Sequence, residues 1–155
     1  MASYDREQVV AILNNILEQE LAGVVRYTHY SLLIFGHNRI PIVSWLRAQA
    51  MESLRHAEQA GEMITHLGAY PSLEIGALLD SHRTDVTMIL REALESEGRA
   101  LALYAALLDA VAGKSVMLEE YARTMIMAEE LHAGEVDKML RTPGQIKDSG
   151  LRAKG

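Results

Sequence analysis

The chain is predicted to be all-α: an antiparallel four-helix bundle built from two helical hairpins joined by a long crossover. Three observations carry this. Helix breakers are scarce, with 3 Pro and 11 Gly in 155 residues, which leaves long stretches free to coil. Those stretches repeat apolar residues at spacings of three and four, which is one face of a 3.6-residue helix. They are separated by two short links and one long one.

The first helix is expected over about residues 3–35, starting at Ser3 with Glu7 in its first turns and stopping at Gly36-His37-Asn38. Its stripe is Val9, Leu13, Ile16, position 20, Val24, Tyr27 and Ser31. The second starts at Ile40-Pro41, where proline suits a first turn, and runs to Leu67-Gly68. Its stripe is Ile42, Trp45, Gln49, positions 52 and 56, Ala60 or Gln59, Met63 and Leu67. The third is expected over about 81–112, with Ser81 as N-cap and the stripe Val86, Leu90, Leu94, position 97, Leu101, Tyr104, Leu108 and Val111. The fourth covers about 115–140, with the stripe Leu118, Tyr121, Met125, positions 129 and 132, Val136 and Met139.

The links define the topology. Residues 36–39 and Gly113-Lys114 are short enough to demand antiparallel neighbours. From Gly68 to Asp80 the chain has 13 residues, a reach of roughly 43 Å when extended, about the length of a helix in the bundle. This crossover carries Leu73, Ile75, Leu78 and Leu79, so it is expected to lie along the bundle or under a partner subunit. One domain is expected over residues 1–141. Residues 142–155, broken by Pro143, Gly144 and Gly150, are expected to form a polar tail, disordered or loosely draped.

Composition removes several function classes. Lys and Arg number 15 against 21 Asp and Glu, a net charge of −6, so no global field draws the protein to nucleic acid or an anionic membrane. With no cysteine, disulfides, thiolate metal sites and cysteine nucleophiles are excluded, and chemistry falls to carboxylates, His, Tyr or a metal. Neither a leader pattern nor a membrane-spanning apolar run is present in the sequence, so the expected location is cytoplasmic.

The positions left unnamed in the stripes are Glu20, Glu52, His56, Glu97, Glu129 and His132. Each helix puts an ionisable group where its pattern calls for an apolar one. Burying one unpaired carboxylate costs several kcal/mol by general estimate, and four together also repel. Two divalent cations balance four Glu with two neutral His, so the set points to a dinuclear centre. Oxygen and imidazole donors without thiolate suit iron or manganese, with zinc able to substitute. Any one of these residues alone is more often an edge or core residue; the six together are not, because the chain repeats itself. Leu17-Glu18-Gln19-Glu20 through Tyr27 aligns without gaps on Leu94-Glu95-Ser96-Glu97 through Tyr104. Glu52 follows Glu20 by 32 residues, as Glu129 follows Glu97. The other histidines His29, His37, His66 and His82 have no such equivalents and read as surface or loop residues.

With these residues in place the sequence resembles the ferritin-like di-iron carboxylate proteins, bacterioferritin most closely, over about residues 5–141. Glu129-Glu130-Leu131-His132 contains the family's Glu-x-x-His, and Leu13 to Leu21 looks like the first helix with its ligand Glu20 and a Tyr seven residues on. The resemblance implies Glu20 and Glu97 as terminal ligands, Glu52 and Glu129 as bridges, and one imidazole per iron from His56 and His132. It also leaves Glu95 as a rival to Glu97, which the repeat and the stripe favour. Tyr27 and Tyr104, packing residues by default, would orient the ligands through hydrogen bonds. The implied activity is that of a ferroxidase, oxidising Fe(II) to Fe(III) with dioxygen or peroxide in a homo-oligomer.

Three departures qualify this. Glu52 and His56 are spaced i,i+4 where the family has i,i+3, so ligation requires a local rotation or bulge of the helix, or an asymmetric site. Ser53-Leu54-Arg55 stands where bacterioferritins carry a haem-binding Met, which argues against haem. The tail lacks the amphipathic fifth helix of bacterioferritin, so a dimer or other smaller assembly stands open beside the cage. The alternatives are a di-iron or di-manganese oxidase or peroxidase on another substrate, and a non-catalytic helical scaffold.

Overall fold

The computed structural model describes residues 3–151. It contains four helices and, among the described residues, no strand: α1 (Arg6–Leu32), α2 (Arg39–His66), α3 (Val86–Val111) and α4 (Val116–Leu140). Among the described residues no helix is long and apolar enough to cross a membrane. The described residues divide into two compact units, one over Leu13–Ile89 and the other formed by the described residues up to Ile12 together with those from Leu90 to residue 151.

In the first of these, α1 and α2 form an antiparallel hairpin. Tyr27 meets Trp45 edge-to-face with ring centroids 6.4 Å apart, and Gly23 lies against Ser53. A Cβ on Gly23 would stand 2.8 Å from Ser53 Oγ, so glycine lets the two helices approach. At the turn, Leu33 N–H donates to the Tyr30 carbonyl at 3.0 Å, and Arg39 Nη1 donates to the Ile34 carbonyl at 2.6 Å. These bonds close α1 three residues before the expected end. α2 ends in a Schellman motif: Gly68, at φ 76°, lets its N–H reach the Thr65 carbonyl while Ala69 N–H reaches that of Ile64.

The crossover lies along α1. Ser72 N–H donates to Asn14 Oδ1 at 2.7 Å, Gly76 N–H to the Glu18 carbonyl at 2.8 Å, and His29 Nε2 sits 3.3 Å from the Ser81 carbonyl. The contacts climb α1 in step with the chain, so the segment runs parallel to it. Gly76 is required by contact: a Cβ there would come within 3.1 Å of the Glu18 carbonyl oxygen. Leu73, Ile75, Leu78 and Leu79 nevertheless remain exposed.

In the second unit α3 and α4 form the equivalent hairpin, with Tyr104 edge-to-face on Tyr121 at 6.3 Å. Two N-caps differ from expectation. α1 starts from Asp5, whose Oδ1 accepts from Gln8 N–H, and not from Ser3. α3 starts at Asp85, whose Oδ1 accepts from Met88 N–H, leaving residues 81–85 outside the helix. A carboxylate at the cap also favours the positive end of the helix dipole. Ser115 caps α4, accepting from Leu118 N–H. The described residues of the tail, as far as residue 151, lie against the end of α4. Ser149 donates to Asp137 through both its N–H and its hydroxyl, and Arg141 Nη1 donates to the Ile146 carbonyl at 2.7 Å.

Candidate metal centre

On α1, the stripe Val9, Leu13, Ile16 and Tyr27 is buried, and Glu20 is buried with it at 5% exposure. One residue of α2 stands against it. His56, 8% exposed, places Nδ1 3.6 Å from Glu20 Oε2 and Nε2 3.1 Å from Glu52 Oε1. The imidazole is thus gripped from both sides by carboxylates.

Glu52 itself is different. Its side chain is 45% exposed and also accepts from Arg55. Burial pushes its carboxyl up, but the Arg55 hydrogen bond and the charges of His56 and Arg55 outweigh this and hold it below the ordinary carboxylate range. The reason lies in the helix. The buried face of α2 is Val43, Leu46, Ala50, Ser53, His56, Ala57, Ala60 and Ile64; it keeps His56 and Ala60 of the predicted stripe but elsewhere runs one residue on from it, so Glu52 falls at its edge. α2 is unbroken α-helix through residues 52–56, so no bulge absorbs the i,i+4 spacing, and the half-site is asymmetric.

The α3–α4 hairpin repeats the grouping. Glu97 is 8% exposed and Glu129 3% exposed, and His132 Nε2 lies 3.4 Å from Glu97 Oε1. Glu95 points elsewhere: it is 67% exposed and pairs with Arg99 on the helix surface at 3.7 Å. Tyr27 and Tyr104 are buried two turns beyond Glu20 and Glu97, each set in its aromatic pair. What the sequence reading missed is a contact between two histidines it left as surface or loop residues: His82 Nδ1 lies 3.3 Å from His29 Nε2. Only the crossover's path along α1 makes them neighbours, and no sequence spacing signals it.

The donor set tests well against a metal. Three of the four carboxylates are buried, and each hairpin sets a histidine beside a carboxylate. Carboxylate and imidazole donors of this kind match iron, manganese or zinc.

Two all-α hairpins, each setting a histidine beside a buried glutamate on the paired helix, define a helical carboxylate protein suited to divalent metals. The chain belongs to the ferritin family: the Ferritin-like domain model matches residues 10–145. The fold is similar to that of a ferritin-like, diiron-carboxylate protein from Bacillus anthracis, at 24% identity and TM-score 0.82, covering 90% of this chain and 100% of that one. It is also similar to a dodecameric thioferritin, the bacterioferritin-related protein of Bacteroides fragilis, at 20% identity and TM-score 0.79, covering 89% and 87%. A third likeness is to Rhodobacter capsulatus bacterioferritin, at 21% identity and TM-score 0.77, covering 90% and 86%. No curated protein sequence matches the chain.

Proposed function

We propose that Glu20, Glu52, His56, Glu97, Glu129 and His132 serve one dinuclear centre for two iron ions, and that the protein is a ferroxidase, oxidising Fe(II) to Fe(III) with dioxygen or peroxide. The observation that carries the reading is the repetition: each hairpin sets a histidine beside a buried glutamate, His56 by Glu20 and His132 by Glu97, at positions related by the internal repeat. Four carboxylates balance two divalent ions, and manganese or zinc can take the same donors. Bound iron supplies the electrons, one from each Fe(II).

The chain's own residues do the positioning. Glu20 and His56 in one hairpin and Glu97 and Glu129 in the other are buried, and burial keeps water from competing for the ions. His56, held between Glu20 and Glu52, has its ring orientation set before any metal arrives. Glu52, kept ionised by Arg55 and half-exposed, is the side through which an incoming cation is first met. Tyr27 and Tyr104, rings fixed by aromatic neighbours, act as orienting groups.

The protein is proposed to work as a cytoplasmic homo-oligomer. Exposed apolar residues at Leu32, Met51, Leu73 and Ile75 support self-association.

Anaerobic Fe(II) titration followed by an oxygen pulse tests the proposal. The expected result is two Fe(II) per chain and a near-ultraviolet absorbance that grows only when oxidant is added. A second reading, a helical scaffold without catalysis, is favoured by the exposure of Glu52 and its engagement with Arg55. Protein that stays metal-free after the titration would support it.

A further inference from the structure

A second site lies within the Leu13–Ile89 unit, where the crossover passes the C-terminal half of α1. A cavity of about 160 Å³ opens there, with Arg26, His29 and His82 contributing polar groups and Val25, Leu78 and Leu79 contributing apolar walls. Arg26 is the unusual member. It is 7% exposed, and its Nε has no hydrogen-bond partner. An arginine this deep is normally matched by a carboxylate or phosphate, because an unmatched buried cation is costly. A guanidinium offers N–H groups in a planar fork that fits a carboxylate.

The neighbours fit the same ligand. His29 Nε2 lies 3.3 Å from both the Ser81 carbonyl and His82 Nδ1, so the two imidazoles are held by the crossover as a fixed polar wall beside Arg26. The single carboxylate of the lining, Asp80, is exposed, where water screens its charge. Val25, Leu78 and Leu79 are 43%, 44% and 54% exposed, an apolar surface that a ligand with an apolar body would cover. The volume matches a single small ring, since a cavity of about 150 Å³ holds benzene.

We propose that this cavity binds a small organic carboxylate, its carboxylate group on the Arg26 guanidinium and its apolar body against Val25, Leu78 and Leu79. The site is separate from the Glu–His groups and does not rest on the proposed iron chemistry.

Isothermal titration calorimetry of the full-length protein, stripped of metal with a chelator, tests it with benzoate as probe and benzamide as its uncharged isostere. Benzoate is expected to bind once per chain with Kd on the order of 1 mM or tighter, and benzamide at least about tenfold more weakly, as befits a lost charge-assisted hydrogen bond. Arg26→Gln is expected to weaken benzoate by about tenfold or more and to leave benzamide unchanged. Arg26→Met serves as the second variant: it removes the buried charge, so it is expected to melt no lower than wild type while losing benzoate. Absence of benzoate binding, equal affinity for benzamide, or undiminished binding in both variants overturns the proposal.

Discussion

A buried carboxylate awaiting a cation makes a folded protein less stable without its metal and more stable with it, and Glu129 is the place to measure this. It is 3% exposed on α4, so its charge has little help from water. Glu129→Leu keeps much of the volume and removes the charge. Replacing buried ionic groups by packed apolar ones is often stabilising by about 1–4 kcal/mol. Taking the low end, about 1 kcal/mol, because polar neighbours lose a partner, the metal-free melting temperature should rise by about 2–4 °C for a chain of this length. The wild type should respond to metal in the opposite proportion. A cation at about one hundred times its Kd adds about 2.7 kcal/mol, or roughly 5–11 °C on the same scale. Differential scanning calorimetry of chelator-treated protein, with and without Zn(II) as a redox-inert probe, reads both numbers. The variant should start higher and gain little from Zn(II). A variant that melts several degrees below wild type without metal, and then gains as much from Zn(II), would refute the reasoning.

Other expectations follow from packing and charge. Gly23→Ala should destabilise by about 1–2 kcal/mol in urea unfolding, since overpacking costs about 1–3 kcal/mol and the helix gains back up to about 1 kcal/mol; adding Ser53→Gly, which removes the clashing Oγ, should recover much of the loss. Gly134→Ala should do the reverse, stabilising by about 0.5–1 kcal/mol, because a Cβ there meets nothing within 4 Å. The tail should also respond to acid. The Ser149 hydrogen bond holds Asp137 below its usual value; burial opposes this and Arg141 assists it. A depressed folded-state pKa means the tether is in force above the ordinary Asp range and is lost as pH falls through the lowered value. Protection of the Ser149 amide, read as its hydrogen-exchange rate relative to the intrinsic rate at each pH, should therefore fall in acid before that of the helices, and Asp137→Asn should lower this protection at neutral pH.

Much of the architecture could be read from periodicity. The stripes of α1, α3 and α4 carry Glu20, Glu97 and Glu129 into buried positions, because one misplaced carboxylate in an otherwise apolar row has nowhere else to point. α2 was harder. Its buried face is rich in Ala and Ser, including Ala50, Ser53, Ala57 and Ala60, and small residues give a weak hydrophobic signal. The larger Ile42, Trp45 and Met63 drew the stripe one residue away, and Glu52 with it. Helix starts also escaped the sequence reading where two capping residues compete. Ser3 and Ser81 look like caps, yet Asp5 and Asp85 close the first turns. The buried Arg26 and the His29–His82 contact depend on where a loop without regular structure runs, and local sequence does not specify that.

The most direct test is where metal goes. Crystals grown with Mn(II) and measured for anomalous scattering should show two peaks per chain, one beside His56 and one beside His132, each within bonding reach of the named glutamates. Peaks confined to surface carboxylates, or a metal-saturated protein whose six groups hold no ion, would contradict the assignment and leave a ferritin-fold protein with some other task.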